Sequence, residues 1–579
     1  MTTCDPVTLE IIRGAIRAAQ AEMEALLERT AISAFIREKK DFYTALFDAE
    51  GVMAVGSNVP IFGDITGPVF EHFPIDTIQP GDLYWYNDCY GSRGAVSHSN
   101  DQVFLAPVFH DGQRCAFVMG WAHFSDIGGL RPGSISPDAT DIFQEGIIIP
   151  PTKLIAAGVV NTAALEIFYR NSRYPDTCRG DTRALMASVA LGVRRLSELV
   201  ERFQPPVLAD ALRQLLARTE ALVRRRLRET FPVGTHRFTD SIDGDGHGSG
   251  PLHIRLALTR TPDDRFIFDA SDTDDQAPGP VNYLMNQDVP GTAFALYFLG
   301  GDPSQVCNAG GARAFDEVIL REGSLLRPRF PAPLGMRGMT MMRVLAALNG
   351  LVNAAGTPAP AAHAAYVILL MRGRAGGRPF LLSDGIGVGY GARPDADGLD
   401  AVYFVAQENY PVEFLELGYP VLLTTYGINR DSGGPGAHRG GCGIVREYRV
   451  LADDAVLAVR MDGVTNPPWG AAGGLSGGSP RAVVNPGTPA ERVLAPLSDG
   501  NRLQSGDILR IETGGGGGRG DPFGRDPDLV LRDVEDGYVS TEAARRRYGV
   551  VVRDGAVDGA ATAHARMAVA QMGHADALV

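Results

Sequence analysis

Apolar residues first recur at helical spacing: Leu9, Ile12, Ile16, Ala19, Met23 and Leu26 follow the pair Asp5-Pro6. An aspartate supplies an N-cap oxygen and proline fits the first helical position, so this spacing predicts an amphipathic helix over residues 6–30. The period then shortens. Phe42, Ala45 and Phe47 precede an Asp-Ala-Glu-Gly turn, and Gly81 to Asn87 reads as a buried strand. Two alternating runs, Gln102 to Phe109 and Arg114 to Trp121, flank His-Asp-Gly-Gln and predict a β-hairpin. Helical patterns cover 180–204 and 208–231, broken at Pro205-Pro206.

From Gly234 to about Asp269 the period is two; helical signals return at 289–301 and 340–354. The last third, Ala401 to Gly514, is rich in glycine and predicted strands, among them VEFLELGYPVLLTTYGI, IVREYRVL, AVLAVRMD and DILRIETG. A short helix is predicted over Thr541 to Tyr548, with an Ala-rich, loosely ordered end beyond Asp554. These elements predict a multi-domain α+β (mixed α/β) fold. The expected regions are 1–178 (α/β, with the candidate site), 179–232 (helical), 233–400 (mixed), 401–524 (β-rich) and 525–579 (a docking tail).

Length and composition narrow the function. A chain of 579 residues exceeds one core, and 45% hydrophobic with 21% charged residues suits a globular protein. The formal charge of −14 argues against nucleic acid or an anionic membrane as partner. No apolar run is long enough to span a bilayer, and the expectation is of a chain without a leader before the first helix. Cys4, Cys89, Cys115, Cys178, Cys307 and Cys442 are scattered without a Cys-x-x-Cys pair, which fits reduced thiols and a cytoplasmic location.

Candidate chemistry gathers at the open end of the hairpin, at His98, Asp101, His123 and Asp126, with Gly128 and Gly129 beyond. A two-residue turn at Asp111-Gly112 sets His123 opposite Asn100, on the face of His98. A three-residue turn sets it opposite Asp101. Either register brings two imidazoles and a carboxylate together, an open donor set suited to zinc, manganese or iron(II). Single histidines at strand ends are commonly solvated; it is the convergence from both arms that points to one divalent metal. Asp41 taken alone reads as a surface charge beside Lys39 and Lys40. The segment Gly133 to Pro151, with Asp138, Asp141 and Glu145, is long enough to cover such a centre. The Gly-rich loops at 432–443 and 514–520 lack the Gly-Lys-Ser/Thr of a phosphate loop and read as structural turns or substrate-proximal backbone.

Several segments, in order, resemble the hydantoinase B/oxoprolinase family, which includes the B-type chains of N-methylhydantoinase, ATP-dependent lactamases and the corresponding chains of acetone and acetophenone carboxylases. They are DPVTLEIIRGAI, EKKDFYTALFDAEG, GSISPDATDIFQEGIIIPPTKL, RGDTRA, EFLELGYP, RDSGGPGAHRGGCGIVREY, GGGGGRGDP and DGYVSTEAARRRYGVV. The resemblance implies that His98, Asp101 and His123 are metal ligands, with Asp41 a fourth ligand or water partner. Asp126 would orient His123 or take a proton as a catalytic carboxylate. This chain departs from the family at Ser99-Asn100 and at Phe124, where a second histidine is common.

The resemblance further implies a hetero-oligomer. A separate hydantoinase A-type subunit would bind ATP and magnesium and phosphorylate a small cyclic amide. The present chain would then complete ring opening as a hydrolase. A ketone carboxylase subunit is the runner-up, favoured by aromatic Trp121 and Phe124; a metal-free scaffold subunit is the third possibility.

Overall fold

A computed structural model of the chain describes residues 4–56, 63–298, 308–404 and 407–572. Helices and sheets are interspersed, as the α+β expectation requires. They gather into two compact units assembled from separated stretches. One comprises Met1–Arg237, Arg255–Gly338 and Val405–Gln407; the other comprises Phe238–Ile254, Met339–Phe404 and Glu408–Val579.

The first unit is built on a seven-stranded sheet. Its strands are β1 (Phe42–Phe47), β2 (Met53–Gly56), β3 (Leu83–Tyr86), β4 (Asp101–His110), β5 (Gln113–His123), β6 (Thr152–Ala156) and β7 (Val159–Val160). Their order is β2-β1-β5-β4-β3-β6-β7, so the predicted hairpin occupies the centre. The helices Pro6–Thr30 and Pro175–Phe203 share one apolar core with this sheet. The first helix begins where Asp5 Oδ1 accepts the N–H groups of Val7 (3.0 Å) and Thr8 (3.1 Å). Ile12, Ile16, Met23 and Leu27 carry its buried stripe, each contributing about 1.5–3 kcal/mol by leaving water. Gly192 lets the second helix approach closely; a Cβ there would meet Met23 Sδ and Val118 Cγ1. Asp181 on that helix accepts the N–H groups of Ile32 (2.7 Å) and Ser33 (3.0 Å), which fixes the chain just before the short helix Ala34–Arg37 and β1.

The second unit carries a four-stranded sheet (Val367–Ala375, Arg378–Ile386, Asp454–Arg460, Leu497–Leu503) and a five-stranded one that includes Val421–Ile428, Ile444–Val450 and Ile508–Glu512. Its glycine runs pack backbone on backbone. Gly517 N–H donates to Ala362 O and Gly518 N–H to Leu475 O, both at 2.8 Å. A Cβ at Gly515, Gly516, Gly517 or Gly518 would overlap main-chain atoms of Ser432, Tyr390, Trp469 or Pro435. These glycines serve close approach, not positive φ: none of residues 514–518 is left-handed.

Several sequence expectations need correcting. VEFLELG is a helix, Val412–Gly418, because Val412 and Leu415, like Glu413 and Glu416, recur three apart with Pro411 just ahead of the first turn; the strand starts only at Val421. As far as Met572 the end beyond Asp554 is ordered, and residues 573–579 lie outside the described residues. Val552–Arg553 and Ala556–Val557 pair, and Asp558 accepts the Ala561 N–H (2.9 Å) at the start of the helix Gly559–Met572. Arg566 then ties that helix to the carbonyls of Tyr548 (3.1 Å) and Arg525 (2.6 Å). The predicted helix at 289–301 is Val289–Phe298, and residues 299–301 lie outside the described residues. Cys307 also lies outside them; the other five cysteines are free and buried. No described helix is long and apolar enough to cross a membrane.

Candidate metal centre

The hairpin register resolves in an unexpected way. The turn is the two-residue form, with Asp111 (φ 48°) and Gly112 (φ 76°) both left-handed, and His110 faces Gln113. That turn alone would set His123 against Asn100. A bulge intervenes: Phe109 pairs with Arg114 but Val108 pairs with Ala116, leaving Cys115 as an extra residue. One extra residue shifts every later pair by one, and Asp101 lands opposite His123. On its other side β5 pairs with β1, where Phe42 faces Ala122 and the His123 N–H donates to Asp41 O at 3.1 Å. Asp41, His123 and Asp101 therefore form a row across three neighbouring strands at one end of the sheet.

His98 joins this row through a tight turn, in which the Asp101 N–H donates to His98 O at 3.0 Å. Asp101 Oδ1 lies 3.1 Å from His123 Nδ1 and 3.4 Å from His98 Nδ1. The two rings stack, with centroids 5.0 Å apart and planes at 26°. Asp41 Oδ2 lies 3.9 Å from His123 Nδ1. The ligand atoms of His98, Asp101 and His123 all fall within 4.8 Å of one another. Nε2 of His98 and of His123 are both buried with no hydrogen-bond partner among the described residues. A buried imidazole nitrogen left unmatched is costly, and it is also the donor a divalent cation uses.

Electrostatics favours the same occupant. Burial and the nearby Arg337 charge push His98 down to about 3, Asp101 only partly opposing, so its imidazole is neutral. Burial works to raise Asp101, but Arg337 and the two histidines outweigh it and hold this carboxyl well below the ordinary range. Burial pushes Asp41 up to about 6, against the pull of His123 and Arg337. The neutral His98 imidazole and the ionised Asp101 carboxylate are in the protonation states that metal binding requires.

Three supporting groups come from distant sequence. Arg337, 236 positions from Asp101, donates through Nη2 to Asp101 Oδ2 (3.0 Å) and through Nε to Ser97 Oγ (2.8 Å). Gln407 hydrogen-bonds Asp41. The Phe35 ring packs 4.6 Å from that of His123. No motif marked them, because only the fold brings these segments together. Phe124, by contrast, packs on Phe168 in the apolar core, so the aromatic wall beside His123 is Phe35.

Asp126 stands apart from the cluster. Its carboxylate accepts the N–H groups of Gly133 (2.9 Å) and Arg173 (2.8 Å) and the Arg173 guanidinium (3.0 Å), organising the Gly128–Gly133 loop. The carboxylate beside His123 Nδ1 is Asp101. In the segment 133–151, Asp138 pairs with Arg131 at the surface and Glu145 turns inward to accept the Leu334 and Gly335 N–H groups. Asn87 anchors that segment beside the site, donating to Ser99 O (2.7 Å) and Ile147 O (2.9 Å).

This mixed α+β fold has relatives among known proteins. Residues 5–522 match hydantoinase B/oxoprolinase, and the chain belongs to this family. It is 30% identical to the beta chain of the caprolactamase of Pseudomonas jessenii, over 98% of this chain and 100% of that protein. It is 29% identical to the B component of a putative D-/L-hydantoinase of a Pseudomonas species, covering 95% and 96%. Among solved structures it resembles the ATP-dependent caprolactamase of Pseudomonas jessenii, with a TM-score of 0.86 and 26% identity over 98% of this chain and 100% of that one. Acetone carboxylase in its nucleotide-free form shares the fold, with a TM-score of 0.85 and 20% identity over 98% and 83%.

Proposed function

We propose that this chain is the B-type subunit of an ATP-dependent cyclic-amide hydrolase that opens a hydantoin, oxoproline or other lactam ring in the cytoplasm. Activation by ATP and magnesium falls to a partner subunit of hydantoinase A type, since no phosphate loop exists in this sequence. The observation that carries the proposal is the pair of unmatched Nε2 atoms on His98 and His123, beside the ionised Asp101. His98, Asp101, His123 and Asp41 would hold one divalent ion, zinc, manganese or iron. Such an ion supplies a Lewis acid that lowers the pKa of water from about 15.7 to roughly 7. Asp101 keeps both rings oriented through their Nδ1 atoms, and Phe35 shields one face of His123 from solvent. Asp126 acts at one remove, by holding the loop that follows His123.

A ketone carboxylase subunit is the second reading, favoured by the acetone carboxylase fold match. The test is elemental analysis of the purified chain beside Asp41→Ala, His98→Ala and His123→Ala, followed by ATP-dependent turnover of lactams and ketones with the partner subunit. About one zinc, manganese or iron per chain, lost in both histidine variants, is expected. A metal-replete, active His98→Ala variant refutes the site. Turnover of ketones alone selects the carboxylase.

A further inference from the structure

The segments around Tyr283 and Arg337 are clasped together. Asn282 Nδ2 donates to Pro333 O (3.1 Å) and the Met336 N–H to Pro280 O (2.8 Å). Glu145 accepts the N–H groups of Leu334 (2.9 Å) and Gly335 (2.6 Å), fixing the turn that delivers Arg337. Arg337 is 8% exposed, and its guanidinium engages Ser97 through Nε and Asp101 through Nη2; Nη1 has no hydrogen bond to a described residue. The Tyr283 hydroxyl is equally unmatched. It belongs to a residue 1% exposed, has no partner among the described residues, and feels the Arg337 charge. The Tyr283 hydroxyl is thus a buried donor, within reach of the Arg337 charge, with nothing among the described residues to accept from it, although buried donors are almost always matched.

We propose that Arg337 and Tyr283 form an oxyanion subsite next to the His98–Asp101–His123 cluster, in which Nη1 and the phenol hydroxyl take the phosphoryl or carboxylate oxygen of a small-molecule substrate. The inference rests on the proposed function only in treating the neighbouring cluster as the reaction centre. A guanidinium suits this role because one edge can hold Asp101 while the other faces the ligand, which ties substrate position to ligand geometry. A point charge such as lysine has no second edge.

The experiment is calorimetric titration of the purified full chain, metal-replete and chelator-treated, with inorganic phosphate and with acetate at constant ionic strength. Metal content is measured in parallel. The chelator-treated chain is expected to bind one probe saturably; stronger phosphate binding marks a phosphoryl source, and stronger acetate binding a carboxylate. Tyr283→Phe is expected to weaken binding about tenfold, the value of one hydrogen bond to a charged group. Its thermal midpoint should equal or exceed the parent's, because the hydroxyl it removes is unpaired. Arg337→Gln should abolish binding, and Arg337→Lys should restore it only in part. No saturable binding of either probe, or Tyr283→Phe within twofold of the parent, overturns the subsite. A chain that holds no metal as purified yet binds the anion leaves the subsite standing and removes the metal reading; a chain that holds metal as purified and binds neither probe, before or after chelation, does the reverse.

Discussion

Glu145→Gln should remove a large pH-dependent component of stability from the first unit. Glu145 is 1% exposed. Burial pushes its carboxyl from 4.5 up to about 8, although the Leu334 and Gly335 N–H groups and Arg337 favour the charged form. Between those two values the folded chain keeps a proton that the unfolded chain has released. The contribution is therefore complete below about pH 4.5 and is lost as pH rises through about 8. A gap of some 3.5 units corresponds to about 5 kcal/mol at most. Glutamine retains one oxygen for both N–H groups and cannot ionise, so this slope should vanish. The assay is denaturant unfolding of the chelator-treated parent and variant at pH 5.5, 7.0 and 8.5. Subtracting one curve from the other cancels the other titrating groups. The parent should lose stability relative to the variant as pH rises. A difference that stays constant with pH, or that grows in the parent's favour, refutes the assignment of a protonated Glu145.

Asp126→Ala should cost about 1–3 kcal/mol, because it leaves the buried Gly133 N–H without its acceptor while the exposed Arg173 guanidinium can turn to water, and the folded fraction keeps its metal. Metal loss at full stability, seen by elemental analysis and thermal unfolding, would instead make Asp126 a ligand or orienting group. Gly516→Ala should prevent the second unit from folding or cost several kcal/mol, since its Cβ would overlap the Tyr390 main chain; a soluble variant with the parent's melting curve would contradict the packing described.

Much was legible locally. Asp5 and Pro6 start a helix because the cap and the proline act within one turn. The alternation either side of Asp111-Gly112 makes a hairpin for the same reason. Thr541 to Tyr548 emerged with the predicted bounds, since Ser540 caps it and Gly549 ends it left-handed. VEFLELG misled because a seven-residue apolar-acidic run fits both periods. The Ala-rich end misled because composition does not reveal docking partners as remote as Arg525.

What the sequence determined by itself was the inventory and its local geometry: the capped helix, the hairpin, and two histidines and an aspartate carried to one end of it. Family-level similarity was legible there too, because it resides in ordered short motifs. What only tertiary structure decided was register and company. The bulge at Cys115 places Asp101, rather than Asn100, opposite His123, and a bulge is stabilised by packing that no two-residue alternation encodes. Arg337 and Gln407 reach the cluster across hundreds of residues, drawn by burial and charge that exist only once the sheet has formed. Asp126, so close to His123 in sequence, is turned away by the loop it has to hold.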